Sequence, residues 1–197
     1  FAPPQPFLFS IGEFRPSKNF HLLIDFLANL PSLVSLVVAG NLATSYGEHV
    51  QERVRRLRLT DRVRLPGVVS DDERHWLYEH CLAFVFPSLA EGFGLPAIEG
   101  MSFGKPVFLA DATSLPEIGG DLAFYWRDFG PAAMRSVFEA GLSQVAADPG
   151  YADRLMQHAS RFTWPAAAAA YLQLYREVAS VGDRLVNDVP APRRAAA

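Results

Sequence analysis

This chain of 197 residues has a single cysteine and no long hydrophobic run. Cys81 has no second cysteine to pair with, which excludes an internal disulfide and is typical of a reducing compartment. No apolar segment reaches the ~20 residues of a membrane-spanning helix, and no signal peptide is visible. Basic charge is not in excess either, since 18 Lys and Arg against 21 Asp and Glu give a formal net charge of −3. We therefore expect a cytoplasmic protein without a nucleic-acid partner.

The composition of the chain and the positions of its prolines predict how it is divided into domains. Half of the residues are apolar, 50%, so a substantial core is available. The proline-rich residues 1–6 are typical of an interdomain linker, and we expect the chain to be a piece of a longer protein cut there. Residues 7–180 are expected to form one domain, and residues 181–197, with Pro190 and Pro192, a disordered tail.

Short apolar segments alternate with longer segments of helical periodicity, which predicts β-α-β units and a Rossmann-like parallel sheet with helices on both faces. Strands are predicted at residues 7–11, 33–39, 63–65, 82–86 and 106–110, with an edge strand at 123–126. Helices are predicted at 19–30, 48–59 and 71–80, and from residue 131 onward. Ser70 and Glu73 have the spacing of a capping box before the third helix. Ligands of such sheets bind at the carboxyl ends of the strands.

A glycine-rich turn that opens a helix follows the strand at 82–86. Gly92 and Gly94 let the backbone approach a ligand closely. Pro96 suits the first helical turn, where its missing N–H costs nothing. The N–H groups of Phe93, Gly94 and Leu95 would then point at the mouth of the site, where the helix dipole favours negative charge. The turn therefore predicts an anion-binding site.

Two carboxylates bracket this turn. Glu91 precedes the helix, and Glu99 lies about one turn inside it with its side chain leaning back toward the helix start. Because carboxylates accept hydrogen bonds from hydroxyls, a ligand that carries phosphate and sugar hydroxyls, such as a sugar nucleotide, suits the loop. Spacing alone leaves a second interpretation open, in which an ordinary strand–helix turn is flanked by surface glutamates.

The segment from Glu91 to Glu99 resembles the E-x7-E signature of retaining glycosyltransferases, especially family 4. The resemblance covers roughly residues 7–180 and extends over Phe86-Pro87-Ser88, Ala97-Ile98-Glu99-Gly100-Met101, Gly104-Lys105-Pro106-Val107 and Ser114-Leu115-Pro116-Glu117-Ile118. It implies the C-terminal, nucleotide-sugar-binding half of a GT-B fold. By the same resemblance, Glu91 is the catalytic carboxylate that contacts the donor hexose, and Glu99 accepts from the ribose hydroxyls.

Two further loops complete the expected donor site. Lys18 lies near a helix N-terminus, where it would reach a diphosphate as a point charge, and it matches the lysine of the family's first loop after Gly12. The arginine usual after that glycine is replaced by Glu13, and we expect Arg15 to substitute for it. The segment from Gly67 to Asp72 resembles the family's G-F-V-S-D-E, which places Val69 against the nucleotide base.

We predict neither a metal nor another cofactor. The chain has no D-x-D motif, its histidines do not cluster, and Asp71-Asp72 is better explained by helix capping. The arginines of residues 53–64 favour a solvated face, because Glu48, Glu52 and Asp61 lie among them. The second interpretation of these arginines is a peripheral contact with anionic lipid at the inner face of the membrane.

The sequence thus predicts the donor-binding half of a retaining, metal-independent glycosyltransferase. It would bind a nucleotide-diphosphate hexose, with GDP-mannose as a candidate, and the hexose would pass to a glycan, lipid-linked or other acceptor held by an N-terminal domain. We expect this half alone to bind the donor without transferring it. Two alternatives stay open, a non-catalytic scaffold that binds sugar nucleotides and an epimerase of the GT-B fold.

Overall fold

The computed structural model describes residue 3 and residues 6–187, with side chains described up to residue 179. The chain divides into two units, residues 1–159 and residues 160–197. Strands are β1 (Phe7–Ile11), β2 (Ser35–Ala39), β3 (Val63–Gly67), β4 (Ala83–Phe86), β5 (Val107–Ala110) and β6 (Phe124–Trp126). Helices are α1 (Phe20–Ala28), α2 (Ser45–Arg56), α3 (Asp71–His80), α4 (Leu95–Ser102), α5 (Leu115–Gly119), α6 (Pro131–Ala146), α7 (Tyr151–Ala159) and α8 (Trp164–Asn187). Short 3₁₀ turns occupy Pro16–Lys18 and Gly120–Leu122.

The strands of the first unit form one parallel sheet in the order β3-β2-β1-β4-β5-β6. Strands β2, β4 and β5 are buried along their whole length, as near-continuous apolar strands of a parallel sheet are when helices cover both faces. Helix α1 packs against α2 and α6, and α4 packs against α5 and α7. Because crossovers are right-handed and the strand order reverses, these two groups lie on opposite faces.

The reversal of strand order lies between β1 and β4. Two loops leave the carboxyl ends of these neighbouring strands, the first loop (residues 12–19) and the motif loop (residues 87–94). This is the topological switch point, where open α/β sheets bind ligands.

The local signals for the starts of α3 and α4 are confirmed, whereas α2, predicted from residue 48, begins at Ser45. Ser70 Oγ accepts from the Glu73 N–H at 3.3 Å, and Glu73 accepts from the Ser70 N–H at 2.8 Å, which is the predicted capping box. The hydrogen bond from the Ser70 N–H to the Glu73 carboxylate, and a second one from the Ser70 hydroxyl at 3.0 Å, hold the pKa of Glu73 below its ordinary value. Helix α4 begins at Leu95 with Pro96 in its first turn, as predicted, after Gly94 in a left-handed conformation with φ 106°.

Several boundaries differ from the sequence prediction. The strand predicted from residue 33 begins at Ser35, because the Val34 N–H donates to Pro31 O in a turn that leaves Leu33 exposed. The predicted domain 7–180 spans both units, and α8 continues past residue 180 to Asn187. After Pro165 in its first turn, the next proline of the chain is Pro190, so no proline interrupts the helix before Asn187. Of the predicted linker and tail, residues 1, 2, 4, 5 and 188–197 lie outside the described residues.

Two further observations bear on the opening expectations. Cys81 is buried, and burial raises its pKa to about 12, so it is a small core residue rather than a nucleophile. Within residue 3 and residues 6–187, no helix has both the length and the apolar character needed to cross a membrane.

Candidate functional site

Backbone and amide hydrogen bonds join the first loop to the motif loop. The buried side chain of Asn19 donates to Pro87 O at 3.2 Å, and the Leu89 N–H donates to Ser17 O at 2.8 Å. Asn19 itself has φ 53°, a left-handed conformation that asparagine tolerates better than most residues. These contacts place Lys18, which lies between Ser17 and Asn19, directly beside the motif.

Lys18 and Glu91 form an ion pair at the point where the two loops meet. The Lys18 Nζ lies 2.5 Å from Glu91 Oε1, and the two side chains are only 17% and 11% exposed. The ammonium also lies 5.3 Å from the ring centroid of Phe86, at the end of β4. A cation predicted from the first loop and a carboxylate predicted from the motif therefore meet in one shielded position.

The segment before α5 holds the backbone of the motif loop from the other side. Thr113 Oγ1 accepts from the Glu91 N–H at 3.1 Å. Ser114 Oγ lies 3.1 Å from Glu91 O and 2.9 Å from Phe93 O, so its single proton is shared between two carbonyls. The position of the Glu91 backbone is thus fixed independently of its side chain.

The start of α4 leaves backbone donors unused. Among the hydrogen bonds of the described residues, none uses the N–H of Gly94 or of Leu95. A Cβ added at Gly92 would meet no atom within 4 Å, so the space beside this glycine is open. Phe93 is 48% exposed at the same turn. Open space next to unused N–H groups at a helix N-terminus suits an anion.

The second carboxylate of the motif has different neighbours. Glu99 lies on α4 with its Oε1 4.0 Å from Arg74 Nη1 of α3. Tyr78, also on α3, donates its hydroxyl to Pro96 O at 3.1 Å. Burial, and then the negative charge of Glu99, raise the pKa of Tyr78 well above its ordinary value, so the phenol stays protonated and can donate. Glu99 therefore faces cationic and neutral donor groups of α3.

Glycines end the strands on the other side of the switch point. The Gly12 N–H donates to Ala39 O at 3.0 Å, and the Gly40 N–H donates to Gly67 O at 2.8 Å. The half-buried Val69 follows β3 at the same edge of the sheet. In strand order β3 is separated from β4 by β2 and β1, so Val69 lies at the far end of this edge from Glu91.

Arg15 is engaged elsewhere. Its guanidinium lies 2.5 Å from Glu13, and the two side chains are 69% and 66% exposed. The residue expected to supply a second cation is thus paired with the glutamate that replaces the family's usual arginine. The contribution of Arg15 to donor binding stays a prediction.

The sequence model of the family described as glycosyl transferases group 1 matches residues 1–124. The chain belongs to this family. The fold agrees, because Anabaena HepE, solved in complex with UDP and glucose, superposes with a TM-score of 0.74 at 24% identity. That match covers 90% of this chain and 49% of HepE. The predicted Rossmann-like half of a GT-B fold is therefore confirmed.

Several curated relatives are named as mannosyltransferases, and two of them show the range of coverage. The serotype-specific mannosyltransferase WbdA of Escherichia coli is 30% identical over 177 residues, which are 83% of this chain and 21% of WbdA. The GDP-mannose:cellobiosyl-diphosphopolyprenol alpha-mannosyltransferase of Komagataeibacter xylinus is 28% identical over 182 residues, 89% of this chain and 46% of that protein. The chain thus spans less than half the length of either relative.

Several positioning residues of this glycosyltransferase chain were not foreseen from sequence. Asn19 had a local signal, since asparagine before a helix suits a left-handed turn. Thr113 had none, and Ser114 stood in the segment 114–118 of the family resemblance without a role, because their partners lie more than twenty residues away in the chain. Arg74 of α3 faces Glu99 only because α3 and α4 flank the same strand, β4.

The arginine-rich region is largely used within the fold. Arg53 makes two hydrogen bonds to the Asp25 carboxylate, at 2.5 and 2.6 Å, and Arg62 donates to carbonyls of Leu30, Pro31 and Val34. Arg53 and Arg62 are therefore held within the fold, and only Arg55, Arg56 and Arg58 have the exposure expected of the predicted solvated face. A peripheral membrane contact stays a prediction. Among the described residues, no three His, Cys, Asp or Glu side chains form a group that could hold a metal ion.

Proposed function

We propose that this chain is the donor-binding half of a retaining glycosyltransferase that moves a hexose from a nucleotide-diphosphate sugar. GDP-mannose is the first candidate donor, because a relative that matches 89% of the chain is named for it. An N-terminal domain of the same protein would hold the glycan, lipid-linked or other acceptor. The alternatives of a scaffold or an epimerase have no specific observation in their favour.

One observation carries the proposal. A shielded lysine, a shielded carboxylate, and the N–H groups of Gly94 and Leu95, which donate to no other described residue, all lie on the two loops at the switch point of a parallel sheet. The diphosphate would lie against Lys18 and the start of α4, since both favour negative charge. The open space beside Gly92, together with the strand end at Gly12, would let the ligand approach the backbone.

The two carboxylates would then contact different parts of the donor. Glu91, next to Lys18, would accept hydrogen bonds from hexose hydroxyls and orient the anomeric carbon. Glu99, farther along α4, would accept from ribose hydroxyls, and Val69 would lie against the base. As the bond to the hexose breaks, charge builds up on the diphosphate, and Lys18 with the α4 N-terminus would stabilise it. We propose that no metal ion is needed for this step.

Titration calorimetry of the chain with GDP-mannose, GDP, UDP-glucose and UDP tests the proposal, repeated with EDTA. We expect binding of at least one pair, unchanged by the chelator, and no transfer by this half alone. Lys18→Met should lower the affinity for the diphosphates, whereas Arg55→Met, which breaks an exposed pair with Glu52 on α2, is the matched control. Absence of binding in all four titrations, or loss with EDTA and recovery with Mg²⁺, would contradict it.

A further inference from the structure

We infer that the Lys18–Glu91 ion pair makes the site discriminate an intact nucleotide sugar from the bare nucleoside diphosphate that remains after transfer. The inference rests on the proposed function and concerns the specificity of the same site. It starts from the fact that the cation expected to bind phosphate is already occupied, since its Nζ lies 2.5 Å from Glu91.

The shielding of the pair gives this contact its weight. The Glu91 side chain is 11% exposed, whereas the Glu13 side chain, paired with Arg15 at the same 2.5 Å, is 66% exposed. Water would solvate Glu13 if Arg15 left it, so that exchange costs little. A shielded carboxylate that loses its cation is poorly solvated and must find another donor.

Glu91 cannot solve this problem by moving its backbone. The N–H of Glu91 donates to Thr113 Oγ1, and its carbonyl lies within hydrogen-bond distance of Ser114 Oγ. The loop is also tied to the first loop through Asn19 and Pro87. The carboxylate therefore stays near the place where the hexose would lie, so that a hydroxyl of the ligand is well placed to replace the lysine as its partner.

The two ligand classes differ in whether they supply that partner. Both carry phosphates that attract Lys18 away from Glu91. The hexose of a nucleotide sugar brings hydroxyl donors to the vacated carboxylate. A bare nucleoside diphosphate has hydroxyls only on its ribose, which the proposed function places at Glu99, and its terminal phosphate carries additional negative charge beside Glu91. The ion pair therefore favours the substrate over the product, which would limit product inhibition.

The test compares dissociation constants for GDP and GDP-mannose, and in parallel for UDP and UDP-glucose, in the wild-type chain and in Glu91→Gln. The amide keeps the shape of the side chain but neither holds Lys18 as an ion pair nor repels a phosphate. We expect the ratio Kd(diphosphate)/Kd(nucleotide sugar) to fall about tenfold, or about 1.4 kcal/mol. Most of the change should come from tighter binding of the bare diphosphate.

Glu13→Gln is the matched control, because it breaks an exposed pair of the same length in the first loop. It should leave the ratio unchanged even if the released Arg15 alters both affinities. Urea unfolding of each variant verifies that the fold is intact. An unchanged or raised ratio in Glu91→Gln would overturn the inference, while the proposed function would stand as long as the wild type binds. No binding by the wild type would overturn both.

A double-mutant cycle separates the pair from simple repulsion by Glu91. In a Lys18→Met background Glu91 has already lost its cation, so diphosphate binding no longer has to break a pair. The gain in diphosphate affinity caused by Glu91→Gln should therefore be at least about threefold smaller in this background than in the wild type, or about 0.65 kcal/mol. An equal gain in both backgrounds would assign the effect to the charge of Glu91 alone and overturn the role of the pair.

Discussion

The loop after β2 and the motif loop after β4 both leave the carboxyl edge of the sheet and both contain glycine, but the fold uses them differently. A Cβ at Gly40 would lie 1.8 Å from Gly12 O, so two strand ends approach each other where no side chain fits. In the same loop Thr44 Oγ1 accepts from the Gly47 N–H and donates to Phe14 O, both at 2.9 Å. In this loop, the space beside Gly40 is filled by the Gly12 backbone, and the Thr44 hydroxyl is already hydrogen-bonded within the fold.

The motif loop, in contrast, has open space beside a glycine and backbone N–H groups that are available to a ligand. A Cβ at Gly92 would meet nothing within 4 Å, and the N–H groups of Gly94 and Leu95 enter no hydrogen bond among the described residues. Folding alone gives no reason for glycine at position 92. The comparison indicates that a ligand site lies where backbone donors and open space are left over, and not wherever glycine occurs.

Two alanine substitutions should break the comparison most strongly. Gly40→Ala should lower the free energy of unfolding by about 3 kcal/mol, the upper end of the usual cost of overpacking, because the new methyl group would lie 1.8 Å from a backbone carbonyl oxygen. Gly92→Ala should change it by less than about 0.5 kcal/mol, since the methyl group enters open space. Urea unfolding of both variants measures the difference.

Gly92→Ala, which should hardly change stability, should instead weaken nucleotide binding. A methyl group there occupies the space proposed for the diphosphate, so Gly92→Ala should weaken GDP or UDP binding about tenfold in calorimetry. If Gly92→Ala unfolds as readily as Gly40→Ala, or binds nucleotide like the wild type, the distinction between the two loops is wrong.

The next largest effect should be a difference in diphosphate binding between substitutions of the two first-loop cations, Lys18 and Arg15. Lys18→Met should weaken nucleoside diphosphate binding by tenfold or more, because a hydrogen bond to a charged group contributes roughly 1.5–3 kcal/mol. Arg15→Ala should weaken diphosphate binding less than Lys18→Met does, because the Arg15 side chain is exposed and already paired with Glu13. Charge interactions of such exposed groups contribute about 1 kcal/mol or less. Titration with the diphosphate and with the nucleoside measures selectivity. Equal loss for both ligands in Lys18→Met would place the lysine away from the phosphates.

Removal of the Ser114 hydroxyl should have a smaller effect. Ser114→Ala deletes one shared hydrogen bond to the carbonyls of Glu91 and Phe93, which is worth about 0.5–1.5 kcal/mol. We expect faster hydrogen exchange of the Glu91 amide, whose N–H donates to Thr113 Oγ1, and about threefold weaker nucleotide binding. The urea midpoint should fall only by the small amount that corresponds to this one hydrogen bond. Unchanged exchange in the loop would show that Thr113 alone is enough to hold it.

The fold was predictable because its signals are local. Alternating apolar strands and helical patterns gave the parallel sheet, and Ser70 with Glu73 gave the start of α3 to the residue. The start of α4 followed from Gly94 and Pro96 in the same way. The beginning of β2 was missed because the turn at Pro31, not hydrophobicity, determines where the chain joins the sheet.

The site was predictable only as a set of separate residues. Sequence spacing indicated Lys18, Glu91 and Glu99, and the family resemblance gave each a role. That Lys18 and Glu91 lie in contact depends on long-range hydrogen bonds of Asn19 and Ser17 to residues 87 and 89, which no local pattern encodes. The ion pair of Arg15 with Glu13 is local, but its exposure becomes known only from the folded structure.

The smallest expected effect is a dependence of stability on pH that comes from His21, a residue outside the proposed ligand site. His21, in the first turn of α1, has Nδ1 2.8 Å from the Tyr46 hydroxyl of α2. Burial lowers the pKa of His21 from 6.5, His49 and Arg53 add to the shift, and Asp25 opposes it. Below about pH 6.5 the unfolded chain therefore binds more protons at this residue than the folded chain, so stability should fall as the pH falls.

Urea midpoints at pH 7.5 and 5.5 test this titration. The wild type should lose more stability on acidification than His21→Gln, whose amide can still bond to Tyr46. The difference should be small, because His21 is only partly buried. Since His21 lies on α1 and its side chain contacts Tyr46 of α2, His21→Gln should leave nucleotide affinity at pH 7.5 unchanged. Equal acid sensitivity of the two proteins would show that His21 is not the group that titrates, and a loss of affinity in the variant would place His21 in the nucleotide site.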